Sequence, residues 1–205
     1  MLEDTGERII PEKMKITNES LIEHIARYHF AAPYMKGKVL DFACGSGYGT
    51  HIIAKKCKKE IDEIIGVDID KDAITYAKSN YYHPLSSFLQ ENVLDEKLSS
   101  KLGKFDVILS FETIEHIEEE DLFLQNIFNL LKTGGILILS TPFGKGRGIK
   151  SGQPFHVHQL KVEEFTSMFH EYKDRTFYYQ KGALIEPADH AKDDHYPLGI
   201  VVARK

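Results

Sequence analysis

The residues with chemistry in them fall in a few stretches. In Val39-Leu40-Asp41-Phe42-Ala43-Cys44-Gly45-Ser46-Gly47-Tyr48-Gly49-Thr50, an apolar run ends in a carboxylate and opens into a glycine-dense turn. Glycine admits positive φ and lets a ligand approach the backbone with no Cβ in the way. A helix starting there points its free N–H groups at whatever lies above the loop. The stretch has the character of a nucleoside-cofactor mouth. Ile64-Ile65-Gly66-Val67-Asp68 repeats the pattern of an apolar run ending in a carboxylate. Histidine, matched to proton transfer near neutral pH, follows in Glu115-His116 and in Pro154-Phe155-His156-Val157-His158. His116 and His156 are the candidate general bases, with Glu115 beside the first. The structural alternative is that Glu115 and His116 brace their loop. His156 and His158 make no complete ligand set, and Asp189-His190 through Asp193-Asp194-His195 reads as a solvated loop, so no metal is expected.

Several elements must position these residues. Asn18 is a plausible N-cap for a helix with Leu21, Ile25, Tyr28 and Ala32 on one face and Glu23, His24 and Arg27 opposite, ending at Pro33. Strands are expected at Lys38–Asp41, Ile64–Asp68, Ser87–Gln90, Phe105–Ser110 and Ile136–Ser140, with final strands at Thr176–Gln180 and Gly199–Ala203. Helices fall between them, at about 48–58, 71–80 behind the Asp70 cap, 96–102, 118–132 stopped by Gly134, and 162–172. Alternating strands and helices imply an α/β fold: a doubly wound sheet, mostly parallel with an antiparallel C-terminal strand, and helices on both faces. Ligands then bind outside the carboxyl ends of the strands. Asp41, Asp68, Asn92, Ser110 and Ser140 are expected to line that rim.

The 205 residues suit one domain, with 1–36 as an N-terminal segment and helix able to act as a lid. A net charge of −5 gives no long-range attraction to nucleic acid. Two cysteines, Cys44 and Cys57, fit buried thiols of a reducing compartment, no run reaches the length of a membrane span, and the start lacks a signal-peptide pattern. A cytoplasmic location is the expectation, with the oligomeric state open.

A dinucleotide turn needs G-x-G-x-x-G; Gly45 and Gly47 fit, but Thr50 holds the third position and Gly49 comes one residue early. Asp41 would also sit badly beside a pyrophosphate, yet it suits a ligand carrying an ammonium or sulfonium group. Asp41 through Gly49 resembles the first motif of class I S-adenosylmethionine-dependent methyltransferases, and Gly66-Val-Asp68-Ile-Asp70 resembles their second. Phe105 through His116 and Leu131-Lys-Thr-Gly134-Gly135 are similar to the fourth- and fifth-strand motifs, while Glu91-Asn92-Val93 departs by placing Asn92 where an acidic residue is usual.

That resemblance implies a Rossmann-like fold and a site for S-adenosyl-L-methionine. Its cofactor-binding residues would be Asp41, Ala43, Gly45, Gly47, Tyr48, Asp68 at the ribose, Ile69, and Asn92 with Val93 near the adenine. Tyr28 and Phe111 are candidates to cover the sulfonium. Thr5-Gly-Glu-Arg8 and Glu23-His24-Ile-Ala-Arg27-Tyr28 resemble a bacterial subgroup that accompanies glycan or glycosyl-transfer pathways. If the N-terminal segment and leading helix form a lid, Arg8 and Arg27 would be directed at an acidic substrate. The reading is methyl transfer to a small-molecule or glycan-type acceptor, chiefly at oxygen. The rivals are a non-catalytic S-adenosylmethionine-binding module and a nicotinamide-dependent oxidoreductase.

Overall fold

Local capping signals set the helix starts in the computed structural model, which describes residue 2, residues 8–191 and residues 196–205. The Asn18 side chain accepts the Leu21 N–H at 3.0 Å and starts α1 (Glu19–Ala31). After β1 (Gly37–Phe42), α2 (Tyr48–Lys56) begins at Gly47, whose φ is 88°. β2 (Ile61–Asp68) is followed by α3 (Lys71–Asn80), where Asp70 accepts from the N–H groups of Asp72 and Ala73. The chain continues through β3 (Ser86–Gln90), the short α4 (Leu98–Leu102), β4 (Phe105–Phe111), α5 (Glu120–Leu130) and β5 (Leu131–Pro142). It ends with α6 (Val162–Ser167), β6 (Asp174–Lys181), β7 (Leu184–Pro187) and β8 (Leu198–Arg204).

The strands form one eight-stranded sheet in the order β3-β2-β1-β4-β5-β8-β6-β7. Pairing is parallel from β3 to β5 and antiparallel among β5, β8, β6 and β7. Side chains alternate across the central strands. Val39, Ile64, Val107 and Ile138 meet α1, α2 and α3 on one face, whereas Leu40, Ile65, Ile108 and Leu137 meet α4, α5 and α6 on the other. Strand order reverses between β1 and β4, which puts a crevice at their carboxyl ends. The sheet is the expected doubly wound, mostly parallel one with helices on both faces.

Some details differ from expectation. α5 stops at Leu130 because Leu131 already pairs with Phe105, so Gly134 lies inside β5 and does not end a helix. α6 is shorter than its apolar spacing suggests, although Phe169 and Tyr172 remain buried beyond its end. β7 adds a third antiparallel strand. β4 and β5 run past Ser110 and Ser140, whose side chains are fully buried within the sheet and line no rim. Arg27 is not on a solvated helix face: at 1% exposure it donates to Gln180 Oε1 at 2.8 Å and to Glu112. It is therefore not directed at a substrate.

Residues ahead of α1 dock on the body. Arg8 pairs with Asp70 at 2.7 Å, the Ser46 hydroxyl donates to the Ile9 carbonyl at 2.7 Å, and the Tyr81 hydroxyl donates to Glu12. Ile10 is buried against Ala73. Thr5, Gly6 and the 193–195 part of the later acidic-histidine cluster lie outside the described residues. No helix among the described residues is long and apolar enough to cross a membrane.

Gly49 shows how closely α1 and α2 approach: a Cβ there would stand 1.8 Å from the Tyr28 ring. Gly49→Ala is expected to destabilise the fold by about 1–3 kcal/mol, checked by urea unfolding. A variant as stable as the parent would contradict this packing.

Candidate functional site

The crevice at the switch point opens as a cavity of about 530 Å³, ordinary for a small-molecule site. Its floor is the turn after β1, with Ala43, Gly45 and Tyr48 on the wall. Ala43 and Gly45 both take positive φ, 69° and 55°. A Cβ built on Gly45 meets nothing within 4 Å, so the backbone there is bare to a ligand. Asp68, at the end of β2, is held in orientation by two backbone donors. Its Oδ2 accepts from Gly45 N at 2.8 Å and its Oδ1 from Asp70 N at 2.9 Å. Each oxygen keeps acceptor capacity for a further hydroxyl.

Ile69, Asn92, Val93 and Leu94 form a mostly apolar slot beside Asp68. The Asn92 amide oxygen accepts from Leu94 N at 2.9 Å, which fixes the turn after β3. Opposite stands an aromatic corner, where Tyr28 meets Phe111 at 5.0 Å and Tyr48 at 5.6 Å, both edge to face.

The structure thus gathers Tyr28, Ala43, Gly45, Tyr48, Asp68, Ile69, Asn92, Val93, Phe111 and His116 around one cavity. Asp41 and Gly47 do not line it. Asp41 lies one layer behind, accepting from Thr50 Oγ1 at 2.6 Å and approached by the Tyr28 hydroxyl at 3.4 Å. Gly47 serves packing, since a Cβ would meet Ala77 at 2.5 Å and Phe88 at 2.8 Å.

A second cavity, of about 770 Å³, adjoins the first and shares Arg8, Ile9, His24 and Glu112 with it. Its wall is polar, with Asn18, Ser20, Gln153, Gln159, Lys13 and His156. Glu112 stands at the junction, with Arg27 and with His24 Nε2 at 3.2 Å. Burial opposes its ionisation, but the Arg27 guanidinium beside it outweighs that and holds its carboxyl below the usual range. Burial also pushes His24 down to about 4, against the Glu112 charge that raises it.

Behind the junction, Glu115 is buried, and its carboxyl is raised well above the usual range by burial and then by the Glu112 charge. Its backbone carbonyl accepts from Val157 N at 2.9 Å, and His116 Nδ1 lies 2.9 Å from the Phe155 carbonyl. The turn after β4 and the loop after β5 are therefore stitched together, which brings His116 and His156 to 4.9 Å between ring centroids. His158 points elsewhere, its Nε2 3.2 Å from Glu120. Sequence reasoning missed Glu112 as the junction residue. The only signal was its place directly after a strand, and its φ of 48°, uncommon outside glycine, is a tertiary result.

A family model described as a methyltransferase domain matches residues 35–198. A Mycobacterium tuberculosis relative, named a probable S-adenosylmethionine-dependent methyltransferase, is 32% identical over 80% of this chain and 58% of its own length. A ubiquinone biosynthesis O-methyltransferase from Bartonella bacilliformis is 29% identical over 64% of this chain and 52% of its own. The chain thus spans about half to three fifths of the length of these curated relatives. The crystal structure of a SAM-dependent methyltransferase from Archaeoglobus fulgidus shares the fold, with a TM-score of 0.66 at 16% identity over 92% of this chain and 95% of that one.

Burial raises the Asp41 carboxyl to about 6, against the bonds from Thr50 and Tyr28 that lower it. Its folded pKa lies above the unfolded value near 4, so the folded state binds more protons between the two. Stability from this group is complete below about pH 4 and falls as pH rises through about 6. Asp41→Asn is expected to remove up to about 3 kcal/mol of that fall, read from thermal melts across the range. Parallel curves for variant and parent would contradict it.

Proposed function

The chain belongs to the S-adenosylmethionine-dependent methyltransferase-domain family, and on that premise we propose that it transfers a methyl group to an oxygen of a small polar acceptor, of glycan type. One observation carries this reading: the cavity beside Asp68 adjoins a polar one at Glu112, with His116 on one side and His156 on the other. The hydroxyl- and amide-rich wall of the second cavity supports a hydroxylated acceptor.

S-adenosylmethionine supplies an activated methyl group on a cationic sulfur. On this reading the Asp68 carboxylate takes the ribose hydroxyls, while Ile69, Val93 and the Asn92 turn hold the adenine. The bare backbone at Ala43 and Gly45 admits the amino-acid end, and Tyr28, Tyr48 and Phe111 put ring faces and edges beside the cation. Asp41 acts by position: it anchors the start of α2 through Thr50 and touches no ligand. The strap from Arg8 to Lys13, bonded to Ser46 and Asp70, is the lid. The His116–His156 pair carries deprotonation of the acceptor, with Glu115 behind it. The unpaired, buried Cys44 and Cys57 fit a cytoplasmic setting.

Calorimetry with S-adenosylhomocysteine and with NAD tests the cofactor assignment. The first is expected to bind and the second not, and Asp68→Ala is expected to weaken binding at least about tenfold, the loss of a charge-assisted hydrogen-bond pair. Binding of NAD alone would overturn the reading. Homocysteine-product binding, without methyl transfer to any acceptor in cell extract labelled at the methyl group, would favour a binding module. His156→Ala is expected to lower the turnover rate by about 10²-fold or more. Full rates in both His116→Ala and His156→Ala would remove the histidines from the mechanism.

A further inference from the structure

Glu115, His116 and His156 each bring one ligand atom into a group no more than 4.8 Å across. Donors around one tetrahedral ion at about 2.0–2.2 Å lie about 3.3–3.6 Å from one another, so side-chain adjustments of up to about an ångström would gather all three. The surroundings already orient them. His116 Nδ1 faces the Phe155 carbonyl and must donate to it, which leaves the Nε2 lone pair outward. Gln159 Nε2 lies 3.2 Å from His156 Nδ1 and donates to it as placed; turning the amide to present its oxygen would make Nδ1 the donor and free the His156 Nε2 lone pair.

An independent observation concerns Glu115. At 1% exposure, its Oε2 accepts from Thr141 Oγ1 at 3.1 Å, but its Oε1 is buried without any hydrogen-bond donor among the described residues. Buried carboxylate oxygens are rarely left so, because the lost solvation is not returned. Glu112, ionised beside Arg27, adds negative charge toward both imidazoles.

We infer that Glu115, His116 and His156 bind a divalent metal ion at the junction of the two cavities. Two imidazoles and one carboxylate favour manganese, zinc or cobalt over magnesium and calcium, which prefer oxygen ligands throughout. Three protein donors leave coordination positions open toward the polar cavity. They suit an acceptor that offers two neighbouring oxygens, such as a vicinal diol. When a hydroxyl binds there its O–H bond breaks, the electron pair stays on the oxygen and the proton leaves to water; metal-bound water shows the same fall in pKa, to about 7. This acceptor role rests on the methyl-transfer reading; in it the two histidines act as ligands of the ion that acidifies the hydroxyl, in place of a direct base. The ion site itself does not depend on that reading.

The test titrates the untagged, chelator-stripped full chain with manganese chloride, read by the loss of the free-ion spin-resonance signal, and with zinc chloride, read by calorimetry. One equivalent is expected to bind. Glu115→Gln, His116→Gln and His156→Ala are each expected to weaken it at least tenfold, while their metal-free melts stay cooperative. No saturable binding by the parent chain would overturn the site, leaving Glu115 as a buried neutral acid, and so would variants that bind as the parent does. S-adenosylhomocysteine titrated into the same sample separates the two proposals: its failure to bind alongside a bound ion would sink the methyl-transfer reading alone. Equal transfer rates with and without the ion would overturn the acceptor role.

Discussion

A buried guanidinium holds the working end of this molecule together. Arg27, on α1, is almost wholly enclosed and shared between Glu112 at the end of β4 and Gln180 on β6. Gln180 in turn donates to the carbonyls of Glu23 and Gly182. The leading helix, the central sheet and the C-terminal antiparallel strands thus converge on one charge. Removing Glu112 would leave Arg27 an uncompensated buried ion, a cost of about 3–5 kcal/mol. The arrangement also fixes Glu112 at positive φ, and Glu112 with His24 forms the wall common to both cavities. Whatever binds in one cavity meets what binds in the other across this pair.

The two sides of that wall differ in chemistry. Toward β2 and β3 the crevice offers one oriented carboxylate, bare turn backbone and aromatic faces, a setting for a flat nucleoside with a cation attached. Toward α1 and the loop after β5 it offers amides, hydroxyls and imidazoles. The proposed transfer places the reacting atoms where these meet. The chain then contributes orientation and a path for one proton, consistent with a reaction whose donor carries its own activation.

Much of this was legible in the sequence because the signals were local. Asn18 and Asp70 cap helices by reaching two or three residues along the chain, and the Gly45–Gly49 turn follows a strand whose apolar run is unmistakable. Of the cavity-lining positions, Asp68 and Asn92 followed from strand ends, and Ile69 and Val93 from the resemblance to methyltransferase motifs. What escaped was tertiary. Arg27 looks solvated on a helical wheel, and only the sheet's return through β6 buries it. Gly134 resembles a helix stop, but Leu131 is claimed by Phe105 first. Asp41 and Gly47 sit in the motif for reasons of anchoring and close packing, and spacing cannot tell an anchor from a contact. His116 and His156, far apart in the chain, meet only because the turn after β4 bonds to the loop after β5.

The most direct test is a crystal structure of the full chain with S-adenosylhomocysteine. The account predicts the ribose hydroxyls on Asp68, the adenine between Ile69 and Val93, and the sulfur facing the junction at Glu112, with the polar cavity still open. A nucleoside seated in the polar cavity, or a ribose away from Asp68, would contradict it.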